Sequence, residues 1–351
     1  MTTVWFILVA FLLTGYVILD GFDLGAGILH GLVGRTEEER GRVLASIGPV
    51  WDGNEVWLIA AGGTLYMAFP VLYAASFSGF YLPLIVILWL LMLRGVSIEF
   101  RGHVSDRLWV RFWDVVFSGS SALLALFFGA ALGNVVRGVS LSPERWFFAP
   151  LWTDFGVGGG PPGILDWYTV LVGLLAVGAL GLHGALWVAL KTDGELGARA
   201  LRSGRVAWWA VAALTLVVTL ATFRVQPLLA TNLAERPWGS AFPLLAVGGL
   251  VGVGAYLRRE PSPGVERRAF LASCAYLAGM MASAAFGIFP YVLPSWPQAG
   301  MGLTAAEAAA SSYSLGAALV WWPIAMALTL FYFVRLYRSF GGKVRVGAGG
   351  H

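Results

Sequence analysis

The sequence predicts an all-α integral membrane protein with nine transmembrane helices. Its 351 residues are 58% hydrophobic and 12% charged, and their mean hydropathy is +0.76. Soluble domains of this size do not have such a composition. The apolar residues also form runs of about 17 to 25 residues, the length that crosses the hydrocarbon core of a bilayer. The 16 Trp residues suit the aromatic belts that anchor helices at the membrane interface.

Nine apolar runs define the predicted helices. The first follows Met1 without a preceding Lys or Arg and is longer than the core of a signal peptide, which predicts a retained helix. The longest connection, Arg137 to Gly163, is too short for a core of its own, so residues 1–351 are expected to form a single membrane domain. In chain order the runs are Val4–Leu29, Val50–Phe69, Ala74–Leu93, Phe112–Val136, Ile164–Leu190, Val206–Phe223, Ala241–Leu257, Ala269–Ile288 and Ser314–Phe333.

The basic residues predict the orientation of these helices, because cytoplasmic loops retain Lys and Arg. With the N-terminus outside and the C-terminus in the cytoplasm, nineteen of the 23 basic residues lie on the cytoplasmic side. The net charge of +4 is thereby explained by topology, and no nucleic-acid partner is expected. The four basic residues left outside are Arg137, Arg145, Arg224 and Arg236; the cytoplasmic set extends from Arg35 to Arg345.

Four acids lie where the first two helices approach the cytoplasmic side. Asp52 and Glu55 are three residues apart, which places them on one face of the second helix. Asp20 and Asp23 lie near the end of the first helix, with Asp20 about 24 Å from Val4 at a rise of about 1.5 Å per residue. Since a charged side chain in lipid is costly, acids at this depth face a cavity or a partner. We therefore predict one polar pocket, open toward the cytoplasm, that conducts protons.

Residues beside Asp52 support this pocket. Pro49 is expected in the first helical turn, where its missing N–H is harmless, and Asp52 then lies where the helix dipole favours a carboxylate. Trp51 and Asn54 are expected to shape the proton path.

A structural interpretation of the same acids stays open. They would then form buried pairs with Arg94 or Arg101, or cap helices. Arg94, Glu99 and Arg101 lie at the inner end of the third run, a mixture of charges that favours a salt-bridged helix end over a substrate contact.

The histidines are the candidate axial ligands for a haem. Only His30 and His183 lie in predicted helices, and a lone His at an interface is more often hydrogen-bonded than a ligand. The chain has no C-x-x-C-H, P-loop or dinucleotide-binding motif, and the single Cys274 excludes an internal disulfide. No haem or metal is expected to be bound by this chain alone.

Several segments resemble subunit II of the cytochrome bd type quinol oxidases. The similarity extends along nearly the whole chain and is weakest in residues 137–163 and after Leu336. The most specific segment is the Trp-Asp-Gly-Asn-Glu-Val-Trp run. The segments are Asp20–Gly25, Ile47–Leu58, Ala68–Pro70, Ser78–Tyr81, Arg94–Gly95 with Glu99–Arg101, and Phe289–Ser295.

The resemblance implies a fold and a partner. In that family, subunit II has two four-helix units, here residues 1–136 and 164–292, and a final helix, here residues 314–336. It forms a heterodimer with subunit I, which holds two b haems and one d haem, oxidises quinol near the outer face and reduces oxygen to water. The resemblance also implies a multi-pass protein of the prokaryotic plasma membrane, in contact with lipids. Some members carry a structural quinone in subunit II or small single-helix accessory subunits.

The functional hypothesis follows from both arguments. The chain is expected to be the haem-free subunit of a quinol oxidase, with Asp52 and Glu55 relaying cytoplasmic protons and Asp20 and Asp23 supporting or collecting them. In the family, the Asp corresponding to Asp52 is the proposed proton entrance. Two alternatives stay open: a purely structural assembly subunit of the oxidase, and a proton-coupled secondary transporter, for which midplane acids are typical.

Overall fold

The computed structural model describes residues 1–152, 163–296, 300 and 302–344. This part of the chain is mostly helical. Two short strands, β1 (Tyr291–Leu293) and β2 (Leu303–Thr304), pair antiparallel. The helices are α1 (Thr2–Val33), α2 (Glu37–Ile47), α3 (Trp51–Ala68), α4 (Pro70–Gly79), α5 (Tyr81–Phe100), α6 (Arg107–Arg137), α7 (Trp167–Lys191), α8 (Gly194–Val225), α9 (Leu228–Glu235), α10 (Ala241–Leu257), α11 (Pro263–Ile288), α12 (Ala305–Ala308) and α13 (Ser312–Ser339), with a 3-10 turn at Pro237–Ser240 before α10.

Eight helical segments in the described residues are long and apolar enough to cross a membrane, counting the 3-10 turn with α10. A ninth span is obtained when α3 and α4, bent by 119° at a one-residue break, are taken together. The predicted all-α membrane class is confirmed, and nine helices are the upper bound of this count. The orientation of the termini and the two four-helix units stay predictions.

The region between α3 and α5 corrects the predicted third helix. The run Ala74–Leu93 was expected to be one helix, whereas α4 ends at Gly79 and α5 begins at Tyr81. The chain leaves the helical conformation at Phe69, and Pro70 starts a new helix because its ring lacks the N–H that would continue α3. The chain stays apolar across the break at Phe80. Hydropathy alone therefore predicted a helix that begins at Ala74, seven residues before the observed start of α5 at Tyr81.

Several helices extend beyond their apolar runs. The predicted α10 has the observed bounds, but α8 begins at Gly194 instead of Val206, and α6 begins at Arg107 instead of Phe112. Asp106 explains the start of α6, since its carboxylate accepts hydrogen bonds from Leu108 N and Trp109 N.

The predicted position of Pro49 in the first turn of the second helix is wrong, because the proline precedes the start of α3 at Trp51.

Helix α1 lies at the centre of the bundle, against α3, α6 and α7. Its approach to α7 depends on glycine: a Cβ added at Gly25 would lie 2.0 Å from Leu180 O, and one at Gly184 would lie 2.2 Å from the carbonyl carbon of Gly25. Two facing glycines let the backbones touch. This close packing buries the second half of α1, which carries Asp20 and Asp23.

The end of the bundle that contains Arg40, Arg101, Lys191 and Arg205 is called the basic end, and it is the end predicted to face the cytoplasm. The chain after α13 is fastened there. Lys191 Nζ donates to Phe340 O and Gly342 O, and Val344 N donates to Lys191 O. The last predicted cytoplasmic cation, Arg345, lies outside the described residues.

Lys343 strengthens the same attachment. Its Nζ lies 2.9 Å from Asp193 Oδ1 and 3.1 Å from Glu266 Oε2. Partial burial opposes the charge of the ammonium group, but the hydrogen bonds to Asp193 and Glu266 outweigh it and hold the pKa of Lys343 above its usual value.

At the opposite end, α11 ends at Ile288, directly before the Phe289–Ser295 segment. The segment continues as β1. Nearby, the buried Arg137 guanidinium pairs with Asp166 and donates to Asn134 Oδ1 at 2.7 Å. These contacts tie the end of α6 to the start of α7.

Candidate functional site

An ion pair in the interior of the bundle joins α5 to α1. Arg94 Nη2 lies 2.5 Å from Asp20 Oδ1, and Nη1 lies 3.0 Å from Asp20 Oδ2, so the pair is bidentate. Both side chains are fully buried. Burial of this kind is tolerated because each charge is compensated directly by the other.

The same guanidinium reaches a second acid. Arg94 Nη1 lies 3.5 Å from Glu55 Oε1, and the Glu55 side chain keeps 23% of its surface exposed. One buried cation therefore contacts an acid of α1 and an acid of α3. Asp20 and Glu55 were expected at a common depth, and their shared contact with Arg94 brings them close together.

Asp23 is linked to a different set of partners. Asn54 Nδ2 donates to Asp23 Oδ2 at 2.7 Å and lies 3.2 Å from Leu19 O, and Tyr337 donates its hydroxyl to Asn54 Oδ1 at 2.8 Å. Asp23 and Asn54 are fully buried. Asp23 Oδ1 has no hydrogen-bond partner among the described residues. A buried carboxylate oxygen in this situation is a place where a proton can be held.

Asp52 lies at the edge of this arrangement. It is exposed in the first turn of α3, as expected from the helix dipole, and has no ion pair among the described residues. Glu55 is one turn further along the same face. Trp51 is half-buried, with its ring 3.6 Å from the position that a Cβ on Gly95 would occupy. The acids therefore form a series from exposed Asp52 through partly exposed Glu55 to buried Asp20 and Asp23.

The other two charged residues singled out in α5 and just beyond it do not join this series. Glu99 is exposed and its carboxylate has no partner in the described residues, while its carbonyl oxygen lies 2.9 Å from His103 Nδ1. Arg101 was offered as a partner of the acids in α1 and α3, but its Nε lies 2.6 Å from Asp114 Oδ1.

Asp114 is a buried acid with several charged partners that was not predicted as a site residue. Its Oδ1 also lies 2.6 Å from His30 Nε2, and its Oδ2 lies 3.2 Å from Arg40 Nη1. The carboxylate joins α1, α2 and α6 with the segment after α5 at the basic end. A signal was present, since Asp114 is an acid within the predicted apolar run Phe112–Val136.

The two helical histidines differ in their hydrogen bonding. Both ring nitrogens of His183 are engaged, Nδ1 at 2.7 Å from Ser273 Oγ and Nε2 at 3.0 Å from Ile18 O. His30 Nε2 lies 2.6 Å from Asp114 Oδ1, whereas its Nδ1 has no hydrogen-bond partner among the described residues. Within the described ranges, no group of three or more His, Cys, Asp or Glu side chains is arranged to hold a metal ion.

Comparisons with known proteins agree along nearly the whole chain. A family model described as "Cytochrome bd terminal oxidase subunit II" matches residues 1–340. The chain is 30% identical to cytochrome bd-I ubiquinol oxidase subunit 2 of Escherichia coli K12, over 97% of this chain and 94% of that protein. It is 32% identical to cytochrome bd ubiquinol oxidase subunit 2 of Bacillus subtilis, over 94% and 91%.

A solved structure shares the fold. A chain in the structure of bd oxidase from Geobacillus thermodenitrificans superimposes with a TM-score of 0.75 at 18% sequence identity. The match covers 97% of this chain and 98% of that chain. The two chains therefore share one fold.

Proposed function

Because this chain belongs to the cytochrome bd terminal oxidase subunit II family, we propose that it is the haem-free partner of subunit I and conducts protons toward the oxygen-reducing site. Family membership makes it a multi-pass protein of the bacterial plasma membrane and a component of a respiratory oxidoreductase complex. In this proposal quinol supplies the electrons, and the protons enter at the basic end.

The observation that carries the proposal is the graded burial of the acids around Arg94. Asp52 is exposed, Glu55 is partly exposed, and Asp20 and Asp23 are fully buried. A carboxylate oxygen that is free of partners can accept a proton. Here Asp52 has no ion pair among the described residues, and Asp23 Oδ1 has no hydrogen-bond partner there.

Each residue then has a defined part. Asp52 takes a proton from water at the basic end and passes it to Glu55, one helical turn deeper. Asp23 receives the proton on Oδ1, the oxygen not bonded to Asn54. No hydrogen bond in the described part of the chain joins Glu55 to Asp23, so the transfer between them requires a bridging water. Each carboxylate returns to its starting state when it passes the proton on.

Arg94 and Asp20 position the path. The bidentate contact with Asp20 fixes the cationic guanidinium of Arg94 beside Glu55, 3.5 Å from its Oε1. That charge stabilises the ionised form of Glu55 after each transfer and makes the group ready for the next proton. Asp20 is therefore a positioning residue in this proposal, and Trp51 shields the path on the α5 side.

The haems are assigned to subunit I. The haems implied by the family name supply the electron transfer and the oxygen chemistry of the complex, and the engagement of both ring nitrogens of His183 supports their placement in subunit I.

The test is Asp52→Asn in the purified complex reconstituted in vesicles. Asparagine keeps the size and polarity of the side chain but cannot carry a proton, so oxygen-linked charge separation and turnover are expected to fall by roughly tenfold or more. Glu99→Gln is the matched control, since it removes an exposed carboxylate at the same end and should leave both quantities unchanged.

Two results would contradict the proposal. Unchanged charge separation in Asp52→Asn would remove that residue from the path and favour a purely structural subunit. A purified protein without haem absorbance from co-purifying subunits would favour the transporter alternative.

A further inference from the structure

A pocket of about 270 Å³ opens between α8 and α10 at the basic end. It shares no residue with the acids around Arg94, and the proposed proton path does not use it. Its lining combines two arginines with two indole rings: Arg205, Trp208, Trp209, Gly254, Leu257 and Arg258.

The pocket is held open by specific hydrogen bonds. Arg205 Nε donates to Leu257 O at 3.0 Å, which fixes the guanidinium at the last residue of α10. Trp208 Nε1 donates to Leu250 O at 2.8 Å. The Trp208 ring lies so close to α10 that a Cβ on Gly254 would be 2.6 Å from it, so glycine is required there. Both the cation and the aromatic wall are therefore preformed.

The charge of the pocket is not neutralised by the chain. Neither Arg205 nor Arg258 has an ion pair among the described residues. Of the neighbouring acids, Glu195 lies 3.5 Å from Arg202, and Glu260 is exposed without a partner in the described part. The Nε–H of Arg205 is used by the helix end, but its two terminal NH₂ groups remain available. An anion is therefore the ligand that these side chains can recognise.

The position of the pocket indicates the source of the anion. Helix α8 continues for about three turns from Arg205 back to Gly194, whereas α10 ends at Leu257 beside the guanidinium. The apolar span thus ends at the level of the pocket. On the membrane side of the arginines, Trp209 and Val251 expose apolar surface to which acyl chains can pack. Indole rings and arginines at this depth are typical of the headgroup region.

We propose that this pocket binds the phosphodiester group of an anionic glycerophospholipid, with Arg205 and Arg258 on the phosphate and Trp209 against the glycerol and upper acyl chain. A free phosphate offers the same oxygens to the arginines but nothing to the apolar walls. The two sources are therefore separable by experiment.

The experiment is native mass spectrometry of the delipidated complex, titrated with phosphatidylglycerol. In Arg205→Gln/Arg258→Gln, affinity for the first bound phosphatidylglycerol should fall roughly thirty-fold, and in Arg258→Gln alone about five-fold. The single variant keeps the Arg205 bond to Leu257 and so guards against misfolding. Arg267→Gln/Arg268→Gln is the matched control, because it removes two exposed arginines at the same end and should change the affinity less than twofold.

Competition and lipid type complete the test. Inorganic phosphate should not displace phosphatidylglycerol, and phosphatidylcholine should bind at least tenfold more weakly. The proposal is overturned if the control variant loses as much affinity as the pocket variant, if phosphate competes at equal concentration, or if phosphatidylcholine binds equally well.

Discussion

Tyr337, in the last membrane helix, donates its hydroxyl to Asn54 Oδ1 at 2.8 Å across 283 residues of sequence. Because that oxygen accepts from tyrosine, the amide nitrogen of Asn54 must face Asp23 Oδ2, 2.7 Å away. The final helix thus sets the orientation of the one amide that contacts the buried Asp23.

Tyr337→Phe is expected to destabilise the protein by about 1–3 kcal/mol, since it leaves a buried amide oxygen without its donor. The midpoint of thermal unfolding in detergent measures the effect. Tyr332→Phe on the same helix is the control, because that residue is exposed. Equal midpoints for the two variants would contradict the assigned role of the hydroxyl.

The Arg94–Asp20 pair is expected to behave as one unit. Asp20→Asn should cost about 3–5 kcal/mol, because it leaves a buried guanidinium with only the 3.5 Å contact to Glu55. Arg94→Gln should cost a similar amount, and the double variant should cost much less than the sum. A double-mutant cycle on unfolding measures the coupling. Additive costs would show that the two side chains do not stabilise each other.

Asp114→Asn is expected to lower the free energy of unfolding by about 2–4 kcal/mol. Its carboxylate accepts from Arg40, Arg101 and, in one tautomer, His30, and the amide replaces one acceptor oxygen by a donor. Asp106→Asn is the matched control, since asparagine caps a helix as well as aspartate does. Thermal unfolding should give a lower midpoint for Asp114→Asn than for Asp106→Asn. Equal midpoints would show that the Asp114 carboxylate does not stabilise the fold.

Glu39 is expected to give the protein an acid-sensitive contact outside the membrane. The Arg199 guanidinium beside it, together with the backbone N–H groups of Arg35 and Thr36, lowers the pKa of Glu39 despite opposing burial. A carboxyl group with a lower pKa in the folded state stabilises that state above its unfolded pKa. This contribution is lost as the pH falls through the lowered value.

Unfolding midpoints between pH 7 and pH 3 test this prediction. Glu39→Gln should be less stable than the native protein at pH 7, and the difference should shrink toward pH 3. Glu37→Gln, which removes an exposed acid of the same helix, should follow the native curve. A constant difference for Glu39→Gln at every pH would mean that its ionisation is irrelevant.

Much of the fold was predictable because bilayer thickness imposes it. The bounds of α10 followed directly from an apolar run, and those of α3 were within one residue. The proximity of Asp20 and Glu55, which both contact Arg94, was predictable from the rise of an α-helix and the alternation of loops. The break after α3 lies at the predicted end of the second run, Phe69, whereas the separate helix α4 and the break at Phe80 were missed because hydropathy does not change there.

The candidate site was predictable as a set of acids but not as a set of contacts. Arg101 was expected near the acids of α1 and α3 and pairs instead with Asp114, which was overlooked. The link from Tyr337 to Asn54 had no signal in the sequence. Contacts between helices depend on the rotation of each helix about its axis and on which helices are neighbours, and spacing along one helix contains neither.

The sequence by itself determined that the chain spans a membrane, roughly where each span lies, and that ionisable groups gather near one end of the first two helices. Composition and period suffice for these conclusions, because they express the cost of placing polar groups in lipid. Only the tertiary structure decided that Arg94 joins Asp20 and Glu55, that Asp23 keeps an unpartnered oxygen within the described residues, and that Arg205 and Arg258 share a pocket. Those relations arise from side chains of distant segments packing within a few ångströms of each other.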